Sequence, residues 1–595
     1  MRLINVKACS LELFTDPVSV PYAILSHTWA EDEISFQDLE GDREALELRE
    51  GFVKIRETCR LAIENGLDYA WVDTCCIDKT SSAELSEAIN SMFKWYGSAA
   101  VCYAFLSDLS KSPSSGDELL KSLEHCRWFT RGWTLQELIA PPEVLFLDED
   151  WNPRGTKSEL RLHLELITGV DRTVLYDSTQ LSMIPLAKRM SWAAKRKTSR
   201  IEDLAYCLLG IFDINMAMIY GEGPKAFIRL QEEILKKTTD LSLFAWQSND
   251  TDTYRGLLAR SPLEFQQCGS IIPNTDQFRF REEISLTNKG ARINAMLHHS
   301  GNGLYIMDLD CYRGNRTSKD RIGIFLSRTV DSYVRRSPQE TTSSISSNKP
   351  SQIYIQSDIQ DPISSGLEDD RNYGIHISFE ESGYKYTASN FHAVPQAYWD
   401  VNEQFFFTRG LEGFTAFVHF YVSPSAPSAQ AKNLEYIGHK SGQRFLLVCD
   451  LQNMPEPLFV LYSEEEFRRQ GMAPGFIDPF ESIDVYGPQG DRDSLALLNS
   501  RARSRPQKKL TARHIGSSDA FEVSVSAFSS DEHPHKIEVR INIGPEATPA
   551  KRPTVNVRSI SATLSNTKKK TMEKWYQGLS KPSSGSKAED DSSTG

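Results

Sequence analysis

The fold of the N-terminal region is decided by residues 68–106, which read DYAWVDTCCIDKTSSAELSEAINSMFKWYGSAAVCYAFL. This stretch begins with the β-rich run DYAWVD (68–73) and ends with a second one, VCYAFL (101–106). Between them, Ser81 and Glu84 form a capping-box pattern, in which a serine oxygen and a carboxylate satisfy free N–H groups at a helix start. A strand, a helix and a strand in this order predict one crossover unit of a parallel sheet.

The same alternation continues on both sides of this unit. A β-rich run at 22–26 and a helical stretch at 52–65 precede it, and a helix at 130–140 and a β-rich run at 143–148 follow it. We therefore predict an α/β domain at residues 1–160 with a flavodoxin-like, doubly wound parallel sheet.

The first two predicted strands end in polar residues. Ser26, His27 and Trp29 close the first strand, and Asp73 closes the second. Ligands of open α/β sheets bind beyond the carboxyl ends of the strands, so we predict a ligand site there.

The remaining sequence predicts several further regions. In chain order they are a helical extension at 161–240, a β-rich, sandwich-like domain at 241–336, a linker or long loop at 337–370, a second β-rich domain at 371–545 and a disordered tail at 546–595.

Composition excludes several classes of protein. The 595 residues carry 67 Lys and Arg against 80 Asp and Glu, a net charge of −13, which argues against a nucleic-acid-binding protein. No stretch reaches the roughly 18 uninterrupted apolar residues of a membrane span. The nearest is 205–220, which contains Asp213. The ten cysteines include no C-x-x-C pair, so we expect free thiols, no metal site and a cytoplasmic protein.

Several blocks, in the same order, resemble the fungal heterokaryon incompatibility (HET) domain. The blocks are YAILSHTW (22–29), EISFQDL (33–39), YAWVDTCCIDKTSSAELSEAINSMFKWY (69–96), CYAFLSDL (102–109), RGWTLQELIAP (131–141), VLFLD (144–148) and SRIEDLAYCLLGIFDINMAMIYGEGPKAFIRLQEEI (199–234). The resemblance implies a role in fungal non-self recognition, an innate immune response in which fusion of unlike hyphae triggers regulated cell death.

The HET domain is in turn remotely similar to TIR domains. Some TIR domains cleave NAD with a glutamate on the helix that carries a W-C-x-x-E-L-like motif. Here WTLQEL (133–138) matches that motif except that Thr134 replaces Cys. The resemblance implies that Glu137 is the catalytic residue and that NAD is a substrate rather than a cofactor.

One carboxylate is sufficient for this reaction, because nicotinamide leaves a cationic nucleotide as a neutral molecule. Glu137 would stabilise the oxocarbenium charge. Trp133 lies four residues before it and would shield it from water, and Trp29 would stack on a base or on the nicotinamide ring. In the structural alternative, Glu137 caps a helix or forms a salt bridge, and both indoles belong to the core.

Ser26, His27 and Asp73 complete the predicted substrate site. We expect an effector that hydrolyses NAD on assembly, acting with protein partners or copies of itself. The alternative is a non-enzymatic adaptor that signals through protein contacts. A separate glycine motif, GEGPKA (221–226), is interpreted as a turn and helix start, with a phosphate site as its alternative.

Overall fold

A computed structural model of the chain divides into two compact units, Met1–Ser364 and Ser365–Gly595. It describes residues 1–15, 20–41, 46–110, 116–274, 283–301, 303–314, 320–330, 332–343, 350–359, 374–381, 386–394, 398–408, 415–424, 443–450, 458–469, 509–513, 520–529 and 536–545. The predicted tail at 546–595 lies outside these residues.

The N-terminal sheet contains seven strands in the order β2-β1-β4-β3-β5-β6-β7. They are β1 (Arg2–Asn5), β2 (Ser10–Leu13), β3 (Tyr22–His27), β4 (Tyr69–Trp71), β5 (Val101–Phe105), β6 (Val144–Leu147) and β7 (Pro153–Thr156). The four central strands β4, β3, β5 and β6 are parallel, as predicted.

The edges of this sheet correct the prediction of a purely parallel arrangement. At one edge β1 pairs antiparallel with both β2 and β4, and at the other edge β7 pairs antiparallel with β6. The connections from β1 to β2 and from β6 to β7 are short turns, and only antiparallel strands can be joined in that way. The sheet is therefore mixed.

The helices of the first unit follow the predicted alternation. They are α1 (Phe36–Leu39), α2 (Phe52–Glu64), α3 (Ser82–Ser98), α4 (Gly116–His125), α5 (Thr134–Ile139), α6 (Arg161–Thr168), α7 (Arg172–Tyr176), α8 (Leu186–Ser191), α9 (Asp203–Tyr206), α10 (Leu209–Phe212) and α11 (Lys225–Leu235). Short 3₁₀ turns lie at Arg127–Thr130, Ser178–Met183, Leu241–Phe244 and Pro262–Cys268.

The capping box predicted at the start of α3 is half formed. The Ser81 hydroxyl accepts a hydrogen bond from the backbone N–H of Glu84 at 3.4 Å. The Glu84 carboxylate instead accepts from the backbone N–H of Asp78 at 2.9 Å and forms an ion pair with Arg2. The Glu84 carboxylate, which the local spacing assigned to the helix start, is thus paired with Arg2 from a distant part of the chain.

Residues 254–355 form an eight-stranded sheet whose strands are β8 (Tyr254–Arg255), β9 (Ile271–Pro273), β10 (Ser285–Thr287), β11 (Gly290–His299), β12 (Leu304–Arg313), β13 (Asp320–Arg328), β14 (Tyr333–Arg336) and β15 (Pro350–Ile355). Strand β11 pairs with β15 through its first half and with β12 through its last residues. These pairings close a ring through β13 and β14, which differs from the predicted sandwich. Strand β15 also corrects the predicted linker at 337–370, because residues 350–355 are part of this sheet.

The second unit contains two sheets and one helix. Its strands are β16 (Gly374–Glu381), β17 (Tyr386–Val394), β18 (Trp399–Asp400), β19 (Phe405–Phe407), β20 (Thr415–Pro424), β21 (Gln443–Asp450), β22 (Leu458–Ser463), β23 (Lys509–Arg513), β24 (Ala520–Ser529) and β25 (Lys536–Pro545), and its helix is α12 (Glu464–Arg469). The orders are β18-β19-β16-β25-β24-β23 and β17-β20-β21-β22. Both sheets contribute side chains to one buried apolar cluster.

In the part of the chain that the structure describes, no helix is long and apolar enough to cross a bilayer.

Candidate functional site

A buried hydrogen-bonded group lies where β3 ends beneath α5. The hydroxyl of Ser26 donates to Oε2 of Glu137, and the indole nitrogen of Trp128 donates to the Ser26 oxygen at 2.8 Å. Tyr96 on α3 is also hydrogen-bonded to Glu137. We call Ser26, Tyr96, Trp128 and Glu137 the Glu137 cluster. It joins two of the predicted site residues, Ser26 and Glu137, across 111 residues of chain.

Glu137 has a raised pKa, which favours its neutral form below about pH 8. Burial, together with the nearby charge of Asp73, raises its pKa to about 8, although hydrogen bonds from Ser26 and Tyr96 and the charge of Arg196 oppose the shift. The Tyr96 hydroxyl also donates to the carbonyl of Leu25 at 3.0 Å.

A second group of charges surrounds His27, whose side chain turns away from that of Ser26 because successive residues of a strand face opposite sides. The His27 Nε2 lies 3.4 Å from the Glu33 carboxylate, and its Nδ1 lies 3.8 Å from Oδ1 of Asp73. Burial raises the pKa of Glu33, but hydrogen bonds from His27 and Lys54 outweigh it and hold that pKa at about 2. Glu33 is therefore ionised beside the predicted site.

Asp73 is the predicted residue that links the buried group to the surface. Its Oδ2 accepts a hydrogen bond from the indole nitrogen of Trp29 at 2.9 Å. Its Oδ1 is buried and has no hydrogen-bond partner within the described ranges. A buried carboxylate oxygen without a partner is uncommon in folded proteins, and a bound hydroxyl group would satisfy it.

Trp29 lies at the surface rather than in the core, with 49% of its area exposed. The ammonium group of Lys79 lies 3.8 Å from the centre of its ring and covers one face. A ligand that stacks on that face must first displace Lys79, whose cation–π contact is worth about 0.5–1 kcal/mol at an exposed site.

Trp133 takes a different place from the one its spacing predicts. Its indole is hydrogen-bonded to Asp203 in the helical extension, and the hydroxyl of Tyr220 donates to the same carboxylate at 3.1 Å. Trp128, in the 3₁₀ turn before α5, instead contributes the indole of the Glu137 cluster. The i,i+4 rule identifies residues that share a helix face, but a long side chain can still bond to a different neighbour.

Sequence reasoning therefore missed Trp128, Tyr96 and Arg196 as neighbours of Glu137. Tyr96 had a detectable signal, since it ends the apolar face of a predicted helix with a polar tip that requires a partner when buried. Trp128 and Arg196 occur in no motif that links them to the site.

The GEGPKA segment is a turn and helix start, as interpreted. The Glu202 carboxylate accepts hydrogen bonds from the backbone N–H groups of Gly221 at 2.8 Å and Gly223 at 3.1 Å. A phosphate at this turn would need the same two N–H donors. The Glu202 carboxylate already occupies the position that the phosphate would take.

Comparison with known proteins agrees with the resemblance read from the sequence. The family model for "Heterokaryon incompatibility protein (HET)" matches residues 22–123, and a "Domain of unknown function (DUF8212)" matches residues 225–299. The chain is 48% identical over 222 residues to the vegetative incompatibility protein HET-E-1 of Podospora anserina. The match covers 36% of this chain but only 16% of that relative, and no solved structure matches. Residues 22–123, which hold Ser26, His27, Trp29 and Asp73, thus match the HET domain, and the chain contains a region similar to that family.

Proposed function

We propose that this protein is an effector of heterokaryon incompatibility that triggers regulated cell death by hydrolysing the N-glycosidic bond of NAD or a related nucleotide. The HET domain and the similarity to a vegetative incompatibility protein support the biological role. The observation that carries the chemistry is the buried Ser26–Glu137 hydrogen bond. The charge of Asp73 acts on Glu137, and the Asp73 Oδ1 has no hydrogen bond within the described residues.

The order of the parallel strands supports the proposed relationship to TIR domains. Numbered along the chain, the four parallel strands lie in the order second, first, third, fourth. This is the flavodoxin-like order, in which a ligand binds beyond the carboxyl ends of the strands. Ser26 and Asp73 lie at those ends.

A cationic substrate matches the unusual state of Glu137. A neutral carboxyl group cannot stabilise positive charge, but a nicotinamide ribosyl cation close to Glu137 lowers its pKa and favours the carboxylate. In the reaction, the C–N bond to ribose breaks and its electron pair leaves with neutral nicotinamide. The Glu137 carboxylate stabilises the oxocarbenium ion, and Asp73 Oδ1 accepts a hydrogen bond from a ribose hydroxyl. Water then forms the new C–O bond and releases a proton to a carboxylate.

Burial of Glu137 supports a second candidate function, that of a non-enzymatic adaptor. Glu137 is only 6% exposed and its carboxyl group is hydrogen-bonded within the protein. In this interpretation the Glu137 cluster is a structural polar core, and the domain signals through protein contacts.

Expression of the full chain in fungal cells separates the two functions. Viability, NAD and free nicotinamide are followed for the native chain, for Glu137→Gln, and for Glu124→Gln, which removes an exposed carboxylate elsewhere. Enzymatic action requires death with loss of NAD in the native chain and in Glu124→Gln, and neither in a folded Glu137→Gln. Death with constant NAD would support the adaptor. A folded Glu137→Gln that still consumes NAD would exclude Glu137 as the catalytic residue.

A further inference from the structure

Arg196 is a buried cation at the start of the helix that carries Glu137. The residue is only 7% exposed. Its Nη1 donates to the carbonyl of Arg131 at 2.7 Å and to the hydroxyl of Thr134 at 3.0 Å. Thr134 is the first residue of α5, and Glu137 lies three residues later, on the same side of the helix.

Backbone hydrogen bonds fix this position of Arg196. Lys197 donates to the carbonyl of Thr130 at 2.7 Å, and Gly132 donates to the carbonyl of Lys197 at 2.9 Å. Residues 131 and 197 form a parallel bridge. The segment after α8 is therefore joined directly to the segment before α5.

The charge of Arg196 is incompletely compensated. Its Nη2 is buried and has no hydrogen-bond partner in the described part of the chain. Burial lowers its pKa to about 10, and the attraction of Cys207 and, after it, of Glu137 acts in the opposite direction. The guanidinium group is therefore charged at neutral pH, and a buried charge of this kind is costly unless a counter-charge can form nearby.

The groups that act on Glu137 come from every element packed around it. They are Ser26 at the end of β3, Asp73 after β4, Tyr96 on α3, Cys102 on β5, Arg196 after α8 and Cys207 after α9. Ser26 and Tyr96 are neutral donors or acceptors, and Asp73 is an anion that opposes a second negative charge. Arg196 is the cation of this set.

We propose that Arg196 is the positioning residue and counter-ion that allows Glu137 to ionise, so that the helical extension supplies an essential part of the HET-domain site. This deepens the proposed function, in which Glu137 acts as a carboxylate. It also holds as a statement about the ionisation of Glu137 alone, and can therefore be tested without any turnover.

The test uses the full-length protein and follows the infrared band of the protonated Glu137 carboxyl group as the pH is varied. The band is identified by subtracting the spectrum of Glu137→Gln. The variants are Arg196→Met, Arg196→Lys and Arg196→Gln, with Lys195→Met as a matched control that removes an exposed positive charge from the adjacent residue. NAD turnover is measured on the same samples.

We expect Arg196→Met and Arg196→Gln to raise the pH midpoint of Glu137, as the loss of a nearby opposite charge predicts. Arg196→Lys retains the positive charge and should keep the midpoint close to that of the native chain. Lys195→Met should leave the midpoint unchanged. In turnover, the pH at half-maximal kcat should move upwards with the infrared midpoint, while KM changes less.

An unchanged midpoint in a folded Arg196→Met or Arg196→Gln would overturn the inference. Arg196→Gln retains amide donors for the Arg131 carbonyl and so tests the charge if Arg196→Met fails to fold. Failure of the proposed function looks different, because the native chain would then release no nicotinamide although Arg196 still shifts the infrared midpoint.

Discussion

The hydroxyl of Ser26 is hydrogen-bonded to the carboxyl group of Glu137, and it in turn accepts the indole N–H of Trp128. This single relationship joins the end of the first parallel strand to the helix that precedes the last one. It makes the position of Glu137 depend on the sheet as well as on its own helix.

Ser26→Ala should therefore destabilise the protein. The substitution leaves the buried indole N–H of Trp128 without its acceptor, so we expect the free energy of unfolding to fall by about 1–3 kcal/mol. It also removes a hydrogen bond that lowers the pKa of Glu137, so that pKa should rise further. Chemical denaturation measures the first effect. Ser122→Ala, whose hydroxyl only bonds back to its own helix, serves as the control, and equal losses in both variants would contradict the prediction.

Glu137 should give the protein a distinctive pH dependence. Its pKa is about 8 in the fold against an ordinary value of 4.5. A carboxyl group with a raised folded pKa stabilises the fold fully below its unfolded pKa, and this contribution is lost as the pH rises through the folded pKa. Relative to Glu137→Gln, the free energy of unfolding of the native chain should thus fall between pH 4.5 and about 8, by up to ~1.4 kcal/mol per pH unit. Parallel stability curves for the two proteins would show that Glu137 ionises normally.

Lys157 should be needed for the far end of the Glu137 helix. Its buried ammonium group donates to the carbonyls of Leu138 at 3.1 Å, Ile139 at 3.4 Å and Pro141. Lys157→Met leaves these carbonyls without a donor, and we expect a loss of about 1–3 kcal/mol in the free energy of unfolding.

The pH dependence of Lys157 has the opposite sign from that of Glu137. Burial lowers the pKa of Lys157 to about 8 from 10.5, so stability should rise with pH between these values, and Lys157→Met should remove that rise. Lys121→Met, at an exposed position on α4, provides the control for both measurements.

Gly132 should not tolerate a side chain. A Cβ at this position would lie 2.5 Å from Cγ2 of Thr198 and 3.1 Å from Sγ of Cys207. These close contacts would push apart the segment before α5 and the segment after α8, which are joined here by backbone hydrogen bonds. We expect Gly132→Ala to cost about 1–3 kcal/mol in the free energy of unfolding and to weaken the effect of Arg196 on Glu137. Gly269→Ala, whose added carbon meets its nearest neighbour at 3.8 Å, should be close to neutral. Thermal denaturation of both variants checks the contrast.

The sequence by itself determined the local elements and the similarity to the HET domain. Alternating β-rich and amphipathic segments placed the four parallel strands, because a buried parallel strand must be apolar on both faces and its crossover helix on one. Separate blocks in a fixed order identified the HET domain, and the WTLQEL motif placed Glu137 on a helix near the strand ends.

Only the tertiary structure decided which side chains meet. It paired Glu137 with Ser26, placed Trp128 rather than Trp133 in its cluster, and brought Arg196 to it from the helical extension. The tertiary structure also placed β15 in a closed ring of strands. The physical reason is that periodicity reports which face of an element is buried, whereas hydrogen-bond partners and charges are chosen by packing between segments that lie far apart in the chain.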